Sequence, residues 1–323
     1  MPGEFSLIQR YFSGKQNQRK DVDLDIGDDC AIVKVPENSR LAITTDTLVA
    51  GTHFLADANP AWVAHKALAS NLSDLAAMGA TPAWCSLALS LPEVDEAWLE
   101  SFSAAFFELA NYYNIKLIGG DTTKGPLSIT ITVHGFLPAN YALTRDNARA
   151  GDWVYVTGNL GDSKAGLDVI LNPLLRDQPY AELLEQCHYL SSPRVLAGQA
   201  LLSVSSCAID ISDGLIADLG HILQRSNVGA VIDVNALPLS PELLAFLDGN
   251  QSLAQQYALT SGEEYELCFV VPAYNRGALE SHLAHCQTPY HCIGQIRGKQ
   301  GVELHNDGQP LDWTLTGFDH FGE

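Results

Sequence analysis

Apolar and polar residues follow two different periods along the first half of the chain. In residues 127–133, isoleucine and valine alternate with serine and threonine, which is the pattern of a strand with one buried face. Residues 62–78 and 97–113 instead repeat apolar positions at the spacing of helices. A short β-type run at 41–45 predicts a strand that ends at Asp46.

The second half repeats this mixture of periods after a polar, turn-rich segment at 144–152. The break predicts two domains, 1–147 and 148–323, each of α/β or α+β class. Strands are expected at 153–157, around Ile209, at 230–234 and at 267–271, and helices at about 163–172, 193–203, 213–226 and 275–286.

Composition and charge narrow the class of protein. The 323 residues are 46% hydrophobic with a formal net charge of −20, so the chain can bury a core but has no general affinity for nucleic acid or anionic membrane. The apolar window 75–91 is interrupted by Gly79 and Pro82 and does not predict a membrane span. No secretory signal is visible, and seven cysteines without a C-x-x-C pair predict a reducing cytoplasm.

Aspartates recur at positions that suit cation binding. Each of five segments places an aspartate beside small or hydroxyl residues where an apolar run stops. Mg²⁺ prefers oxygen ligands, and it shares its shell between carboxylates, waters and substrate phosphates. The five segments are 27–31, 44–47, 71–75, 119–123 and 209–214.

A single aspartate beside glycine is more often a turn or a helix cap than a metal ligand. Asp210 and Ser212, just before a predicted helix, are good capping candidates on their own. The joint recurrence of carboxylate and hydroxyl residues favours a phosphate–metal site over five separate turns. The chain contains no P-loop, G-x-G-x-x-G, H-E-x-x-H or G-x-S-x-G motif that would indicate other chemistry.

The same segments carry a family resemblance, together with Gly-Glu-Glu-Tyr-Glu-Leu at 262–267 and an aromatic tail at 317–321. The chain resembles the thiamine-monophosphate kinase family, whose superfamily also contains aminoimidazole ribonucleotide synthetase and selenophosphate synthetase. The resemblance covers essentially the whole chain. It departs at Glu263-Glu264, where Glu-Asp is the commoner pair.

The resemblance implies a two-domain aminoimidazole ribonucleotide synthetase-like fold. The N-terminal α/β domain would form a sheet with a second subunit, and the C-terminal α+β domain would complete the sites. The implied reaction is ATP-dependent phosphorylation of thiamine monophosphate to thiamine diphosphate, the final step of its biosynthesis. Transfer between polyphosphates depends chiefly on cations and alignment, so several Mg²⁺ ions are expected. The resemblance also implies a homodimer.

The resemblance also assigns residues to cation binding. Asp213 is expected to bind a cation near the nucleotide, and Asp28 is expected to orient its neighbour. The other expected ligands, which should converge on several Mg²⁺ ions, are Asp29, Thr44, Thr45, Asp46, Asp74, Asp121 and Asp210.

The remaining assignments concern ATP and the acceptor. Tyr113, Gly120, Asp121, Arg145 and Ser212 are expected at the nucleotide, although Tyr113 could equally be core packing at a helix end. His53, Glu263 and Phe318 are expected at thiamine monophosphate. From the residues alone, Phe318 also suits a C-terminal hydrophobic plug, and Glu263 a solvated loop acid.

The sequence shows no Ser, Cys or His in a nucleophile-and-base pattern, so direct in-line transfer is expected. Two other functions stay open. One is another ATP-dependent synthetase of the same superfamily. The other is a non-catalytic nucleotide- or cation-binding module.

Overall fold

A computed structural model describes residues 4–318, so residues 319–321 of the tail motif lie outside the described part. The chain divides into two compact units. Unit 1 comprises Met1–Leu75 and Ala80–Asn140, and unit 2 comprises Ala76–Gly79 and Tyr141–Glu323. Within residues 4–318, no helix has the length and apolar character needed to cross a membrane.

Unit 1 is built on a four-stranded sheet with the order β3-β6-β4-β5, beside a two-stranded sheet β1-β2. Strands β4 and β5 are parallel, and the other neighbours in the larger sheet are antiparallel. The elements are α1 (Glu4–Leu7), a π-helical turn (Ile8–Phe12), β1 (Val22–Leu24), β2 (Ile32–Val33), β3 (Ser39–Val49), α2 (Pro60–Met78), β4 (Thr81–Leu91), α3 (Glu96–Tyr112), β5 (Lys116–Lys124) and β6 (Ser128–Pro138).

One face of the larger sheet belongs to the core of unit 1. The alternation predicted for β6 is confirmed, since Ile129, Ile131 and Val133 are fully buried while the residues between them are half-buried. A Cβ atom on Gly135 would lie 3.0 Å from Leu75 of α2, so glycine lets the helix approach this strand closely.

The other face of this sheet is open at β3. Leu41 and Ile43 have 38% and 60% of their surface exposed. Further along the same face, the Thr45 hydroxyl pairs with that of Thr132 of β6 at 2.8 Å. We call the β3 residues Leu41, Ile43, Thr45 and Thr47, with their β6 neighbours, the outer face.

Unit 2 contains a seven-stranded sheet with the order β13-β12-β9-β11-β7-β10-β8. Only β12 and β9 are parallel among its described neighbours. The elements are β7 (Trp153–Thr157), α4 (Asp162–Leu171), α5 (Ala181–Tyr189), α6 (Val195–Leu201), β8 (Cys207–Asp210), α7 (Leu215–Ser226), β9 (Gly229–Asp233), α8 (Pro241–Phe246), α9 (Gln251–Thr260), β10 (Leu267–Val271), α10 (Arg276–Leu283), β11 (Tyr290–Arg297), β12 (Gly301–Asn306) and β13 (Gln309–Leu311), with 3-10 turns at Pro173–Leu175, Val234–Ala236 and Ala273–Asn275.

Two groups of buried residues stabilise unit 2. Helix α7 turns Leu215, Leu219 and Ile222 toward the sheet, where they join the main core. Helices α4, α5, α8 and α9 form a second cluster around Val169 and Leu243. This helical cluster supports the N-terminal end of α4, which belongs to the candidate site.

Two strand ends differ from the sequence prediction. The strand expected to end at Asp46 continues to Val49, and Asp121 lies inside β5 and not after it. Pairing explains both results, because Asp46 lies opposite Ile131 of β6 and Asp121 lies beside Ala88 of β4. These aspartates therefore project from regular strands.

Candidate active site

An acidic pair in unit 1 lies between β3 and α2. Thr44 and Asp46 are two positions apart on β3, so their side chains share one face. The Thr44 hydroxyl donates a hydrogen bond to Asp74 Oδ2 of α2, and Ser70, one turn earlier, bonds the Asp46 carboxylate. Burial, followed by repulsion from Asp74, raises the pKa of Asp46 to about 6.

This acidic pair fits a divalent cation. Two nearby carboxylates repel each other unless a proton or a cation lies between them, and this repulsion adds to burial in raising the pKa of Asp46. Within residues 4–318, no group of three or more Asp, Glu, His or Cys side chains could bind a metal ion. A cation at Asp46 and Asp74 would therefore complete its shell with water and phosphate oxygens, as Mg²⁺ commonly does.

Other predicted cation ligands of unit 1 lie elsewhere. The Thr45 side chain is on the outer face with Thr132, so its hydroxyl does not join Asp46. Asp121 lies on the opposite edge of the sheet, three strand spacings or roughly 14 Å from β3, so it would bind a different ion. Asp29 lies on an exposed loop, and its N–H donates to Asp28 Oδ1 at 3.1 Å, which agrees with an orienting role for Asp28.

The nucleotide candidates of unit 1 lie on β5 and at the end of α3. Gly120 has φ +152°, and a Cβ there would lie 1.8 Å from the Leu87 carbonyl oxygen. The contact with β4 by itself therefore requires glycine. Tyr113 is half-buried, and its ring meets the exposed Tyr112 ring edge-on at 4.9 Å, so Tyr113 is not a fully buried core residue.

His53 lies in the turn after β3 and is fixed on two sides. Its Nδ1 accepts a hydrogen bond from the Val49 N–H at 3.1 Å, which places the ring proton of a neutral imidazole on Nε2. Its carbonyl oxygen accepts from the Lys66 ammonium at 2.9 Å. Lys66 is fully buried on α2, on the same helix face as Ser70 and Asp74.

Two loops bring together the predicted residues of unit 2. Strand β8 ends at the buried Asp210, and the next loop contains Ser212 and Asp213. The Glu263 N–H donates to the Ser212 carbonyl oxygen at 2.7 Å, which ties the Gly-Glu-Glu-Tyr-Glu loop to this aspartate loop.

Phe318 reaches the same place from the C-terminal segment. Its N–H donates to the Asp213 carbonyl oxygen at 2.9 Å, and a Cβ on Gly317 would lie 2.6 Å from that oxygen. The Phe318 side chain is 56% exposed, so it is not a buried plug. Arg145, in the segment before β7, is exposed, and its carbonyl oxygen accepts from the Ser226 hydroxyl.

The alternative interpretation of Asp210 and Ser212 as helix caps is wrong. Helix α7 begins after Gly214 without a side-chain cap bond. Asp218 Oδ2 instead accepts the N–H groups of Ser212, Asp213 and Gly214 at 3.0, 3.0 and 3.1 Å. Burial raises the pKa of Asp218 to about 7, although these bonds act in the opposite direction.

Glu263 is a paired acid and not a solvated one. Its Oε2 lies 3.1 Å from His188 Nε2, and His188 Nδ1 lies 3.0 Å from the Ser163 hydroxyl. This is the geometry of a nucleophile-and-base relay, which the sequence did not reveal. Ser163 is only 1% exposed, so a substrate cannot reach its hydroxyl.

The neighbouring glutamates of this loop point inward. Glu264 Oε1 accepts from the N–H of Gly161 at 2.7 Å, at the start of α4, and burial raises the pKa of Glu264 to about 8. The Glu266 carboxylate accepts hydrogen bonds from Nε and Nη2 of Arg194 and from the Thr157 hydroxyl. The buried carboxyl groups of Glu264 and Glu266 therefore fix this loop to the interior of unit 2.

Comparison with known protein families assigns both domains of the chain to one class of protein. The N-terminal domain of AIR synthase related proteins matches residues 27–137, and the C-terminal domain of the same proteins matches residues 149–306. The chain is therefore an AIR synthase-related protein with both domains, and the predicted two-domain fold class is confirmed.

Individual relatives narrow the class. A thiamine-monophosphate kinase from Escherichia coli (strain K12) is 56% identical over 321 residues, covering 99% of this chain and 98% of the relative. A crystal structure of thiamine-monophosphate kinase from Stenotrophomonas maltophilia K279a is 43% identical with a TM-score of 0.84, covering 91% and 93%. AaThiL complexed with AMPPCP and TMP is 33% identical with a TM-score of 0.79, covering 92% of both chains. The chain belongs to the thiamine-monophosphate kinase family.

Proposed function

We propose that this protein transfers the γ-phosphoryl group of ATP to thiamine monophosphate, yielding thiamine diphosphate and ADP in the final step of thiamine diphosphate biosynthesis. The observation that carries the proposal is the end-to-end identity of 56% with a thiamine-monophosphate kinase. The complex of the relative AaThiL with AMPPCP and TMP supports the same pair of substrates.

Mg²⁺ is the proposed cation. Asp46 and Asp74 would bind one ion, with Thr44 orienting Asp74, while Asp121 would take part in binding a separate ion. Bound there, Mg²⁺ would neutralise phosphate oxygens as charge shifts during transfer. Asp29, Asp210 and Asp213 are further proposed ligands, and Thr45 could contribute only its main-chain groups.

The chain's own polar groups are proposed to bind and orient the two substrates. In unit 2, Arg145 is proposed to contact phosphates as a bidentate donor, and Ser212 is proposed to bind the nucleotide through its hydroxyl. In unit 1, the Gly120 backbone is proposed to bind phosphate and Tyr113 to contact adenine. The N–H groups of the Ser212 loop already donate to Asp218, so the Ser212 hydroxyl needs little reordering when the nucleotide binds.

The site for the acceptor, thiamine monophosphate, requires an aromatic surface that can contact a cationic ring. Phe318 presents an exposed ring, and Glu263 presents a carboxylate, which suit the thiazolium and aminopyrimidine of thiamine monophosphate. His53, with its proton on Nε2, would donate a hydrogen bond to the acceptor.

Transfer is proposed to occur directly between the substrates. Ser163 has a histidine partner but is buried, so it offers no accessible nucleophile. The acceptor phosphate oxygen is already ionised near neutral pH and needs no general base. A chiral γ-phosphoryl group should be transferred with inversion, and retention would indicate a phospho-enzyme.

We also propose a cytoplasmic homodimer. The outer face exposes Ile43 and Leu41 on an edge strand, and covering such a face with a second subunit would remove apolar surface from water. The seven cysteines are all free thiols, which suits a reducing compartment.

One assay tests the function. The purified protein is incubated with ATP, Mg²⁺ and thiamine monophosphate, and thiamine diphosphate and ADP are measured. Equal amounts of both products are expected. ADP formation only with another acceptor would favour a different synthetase of the superfamily, and nucleotide binding without turnover would favour a non-catalytic module.

A further inference from the structure

His188 lies directly behind the Glu263 carboxylate in unit 2. It occupies the last turn of α5, is 3% exposed, and has its Nε2 3.1 Å from Glu263 Oε2. On the other side of the ring, Nδ1 lies 3.0 Å from the Ser163 hydroxyl and 3.2 Å from the Ser163 carbonyl oxygen. The Tyr189 ring packs edge-on against the imidazole at 5.3 Å. The imidazole is thus confined at both nitrogens.

Ser163 is itself fixed by the start of α4. Its N–H donates to Glu264 Oε1 at 3.3 Å. Helices α4 and α5 approach so closely that a Cβ on Gly166 would lie 2.1 Å from the Leu184 carbonyl oxygen. The spacing between Ser163 and His188 is therefore set by helix packing.

The hydrogen-bonding rules define what this arrangement does. An ionised carboxylate only accepts hydrogen bonds, so the proton of the His188–Glu263 contact belongs to Nε2. The Ser163 hydroxyl can donate a hydrogen bond to Nδ1 of a neutral ring. When the ring is charged, Nδ1 carries a proton, and the hydroxyl or carbonyl oxygen of Ser163 can accept it in a hydrogen bond. The Nε2–H to Glu263 bond is therefore retained in either state of the ring.

The backbone of Glu263 is also constrained. Its φ is +56°, an uncommon conformation for a residue with a side chain, and Tyr265 has φ +54°. The bond from the Glu263 N–H to Ser212 secures the main chain. Strained residues persist where the surrounding structure determines them, and such positions cluster at ligand sites.

We propose that His188, supported by Ser163, is a positioning residue that fixes the Glu263 carboxylate toward the cationic ring system of thiamine monophosphate. The proposal rests on the proposed function, in which Glu263 binds this end of the acceptor. An oriented carboxylate favours an aminopyrimidine–thiazolium cation over a neutral ring, so His188 contributes to acceptor specificity.

The test compares His188→Leu with His188→Gln, whose side-chain amide keeps a donor near the position of Nε2. His188→Leu should raise KM for thiamine monophosphate about tenfold or more, as expected for a lost hydrogen bond to a charged group, with KM for ATP changed less than about twofold. His188→Gln should recover most of the loss. The exposed His282→Leu on α10 is the matched control and should leave both KM values unchanged.

Combining variants separates positioning from structural support. In a Glu263→Gln background, His188→Leu should add little further change in KM for thiamine monophosphate, because the carboxylate it positions is gone. Full additivity, equal increases in both KM values, or no recovery with His188→Gln would overturn the proposal. If His188→Leu does not fold, Ser163→Ala replaces it, and an unchanged KM for thiamine monophosphate in that variant overturns the proposal as well.

The proposed function and this proposal fail in different ways. Absence of thiamine diphosphate formation by the wild-type protein would reject the function. Calorimetric binding of thiamine monophosphate to the wild type and to His188→Leu tests the positioning role without turnover, and equal affinities would reject that role alone.

Discussion

Phe318 is an exposed aromatic residue whose backbone is bonded to the aspartate loop of unit 2. Phe318→Ala should raise KM for thiamine monophosphate about fivefold to thirtyfold, which corresponds to the loss of ring stacking worth about 1–2 kcal/mol. KM for ATP should stay nearly unchanged. Tyr274→Ala, at another exposed aromatic residue, is the control. Steady-state kinetics with each substrate varied would contradict the assignment if both KM values rose together.

The acidic pair in unit 1 predicts how cation dependence varies with pH. The pKa of Asp46 is raised from 3.8 to about 6, so below about pH 6 a proton competes with Mg²⁺ for this carboxylate. The Mg²⁺ concentration for half-maximal activity should rise up to about tenfold per pH unit between pH 6 and pH 4.5, and level off above pH 7.

Asp46→Asn is the variant that tests this dependence. It should bind Mg²⁺ weakly at all pH values, and its Mg²⁺ requirement should lose the dependence on pH near 6. A pH profile in Asp46→Asn that matches the wild-type profile would assign the titration to another group.

The sequence predicted individual site residues better than their partners. Asp46 and Asp74 were candidates because of their local motifs, whereas His188 was not, because its partners Ser163 and Glu263 lie far away in the chain. Asp218 was also missed. The sequence contained a signal for this residue, because Asp218 lies within the apolar face of a predicted helix. A buried aspartate at such a position usually accepts hydrogen bonds.

At the scale of elements, the N-terminal end of α4 is joined to the buried carboxyl group of Glu264. The pKa of this group is 4.5 ordinarily and about 8 in the folded protein. Between these values the unfolded chain releases a proton that the native chain retains, so native stability falls as pH rises from about 4.5 to 8. The contribution of Glu264 to the free energy of unfolding is fully present only below about pH 4.5.

Glu264→Gln mimics the protonated form and removes this dependence. Its free energy of unfolding should match the wild type near pH 5 and exceed it by about 2 kcal/mol or more at pH 9. Urea unfolding at pH 5, 7 and 9 measures the difference, with the exposed Glu93→Gln as control. A constant offset between variant and wild type at all three pH values would contradict the prediction.

Strands differed in how clearly the sequence predicted them. The alternation in β6 was visible because one of its faces is less buried than the other. Strand β4 was missed, since it is a nearly continuous apolar run within the 75–91 window, with Pro82 at its start. Such a run has no period that separates it from a buried helix. The ends of β3 and β5 were not predictable, because both strands continue through polar residues that pair with strands distant in the sequence.

At the scale of the whole molecule, the outer face of unit 1 predicts self-association. Ile43→Asp places a charge in the proposed interface and should convert a dimer into a monomer at micromolar concentration. Leu196→Asp, at an equally exposed leucine of unit 2, should leave the mass unchanged. Sedimentation measures both, and a wild-type monomer or a dimeric Ile43→Asp would reject this interface.

The distribution of thiols has a practical consequence for labelling. Cys30 is the exposed cysteine, while Cys85, Cys207 and Cys268 are buried with raised pKa values, and the others are half-buried. Because maleimides react with the thiolate, they should modify Cys30 first in the native protein. Cys30 directly follows Asp29, so a dye attached there provides, without any mutation, an optical reporter beside a proposed cation ligand.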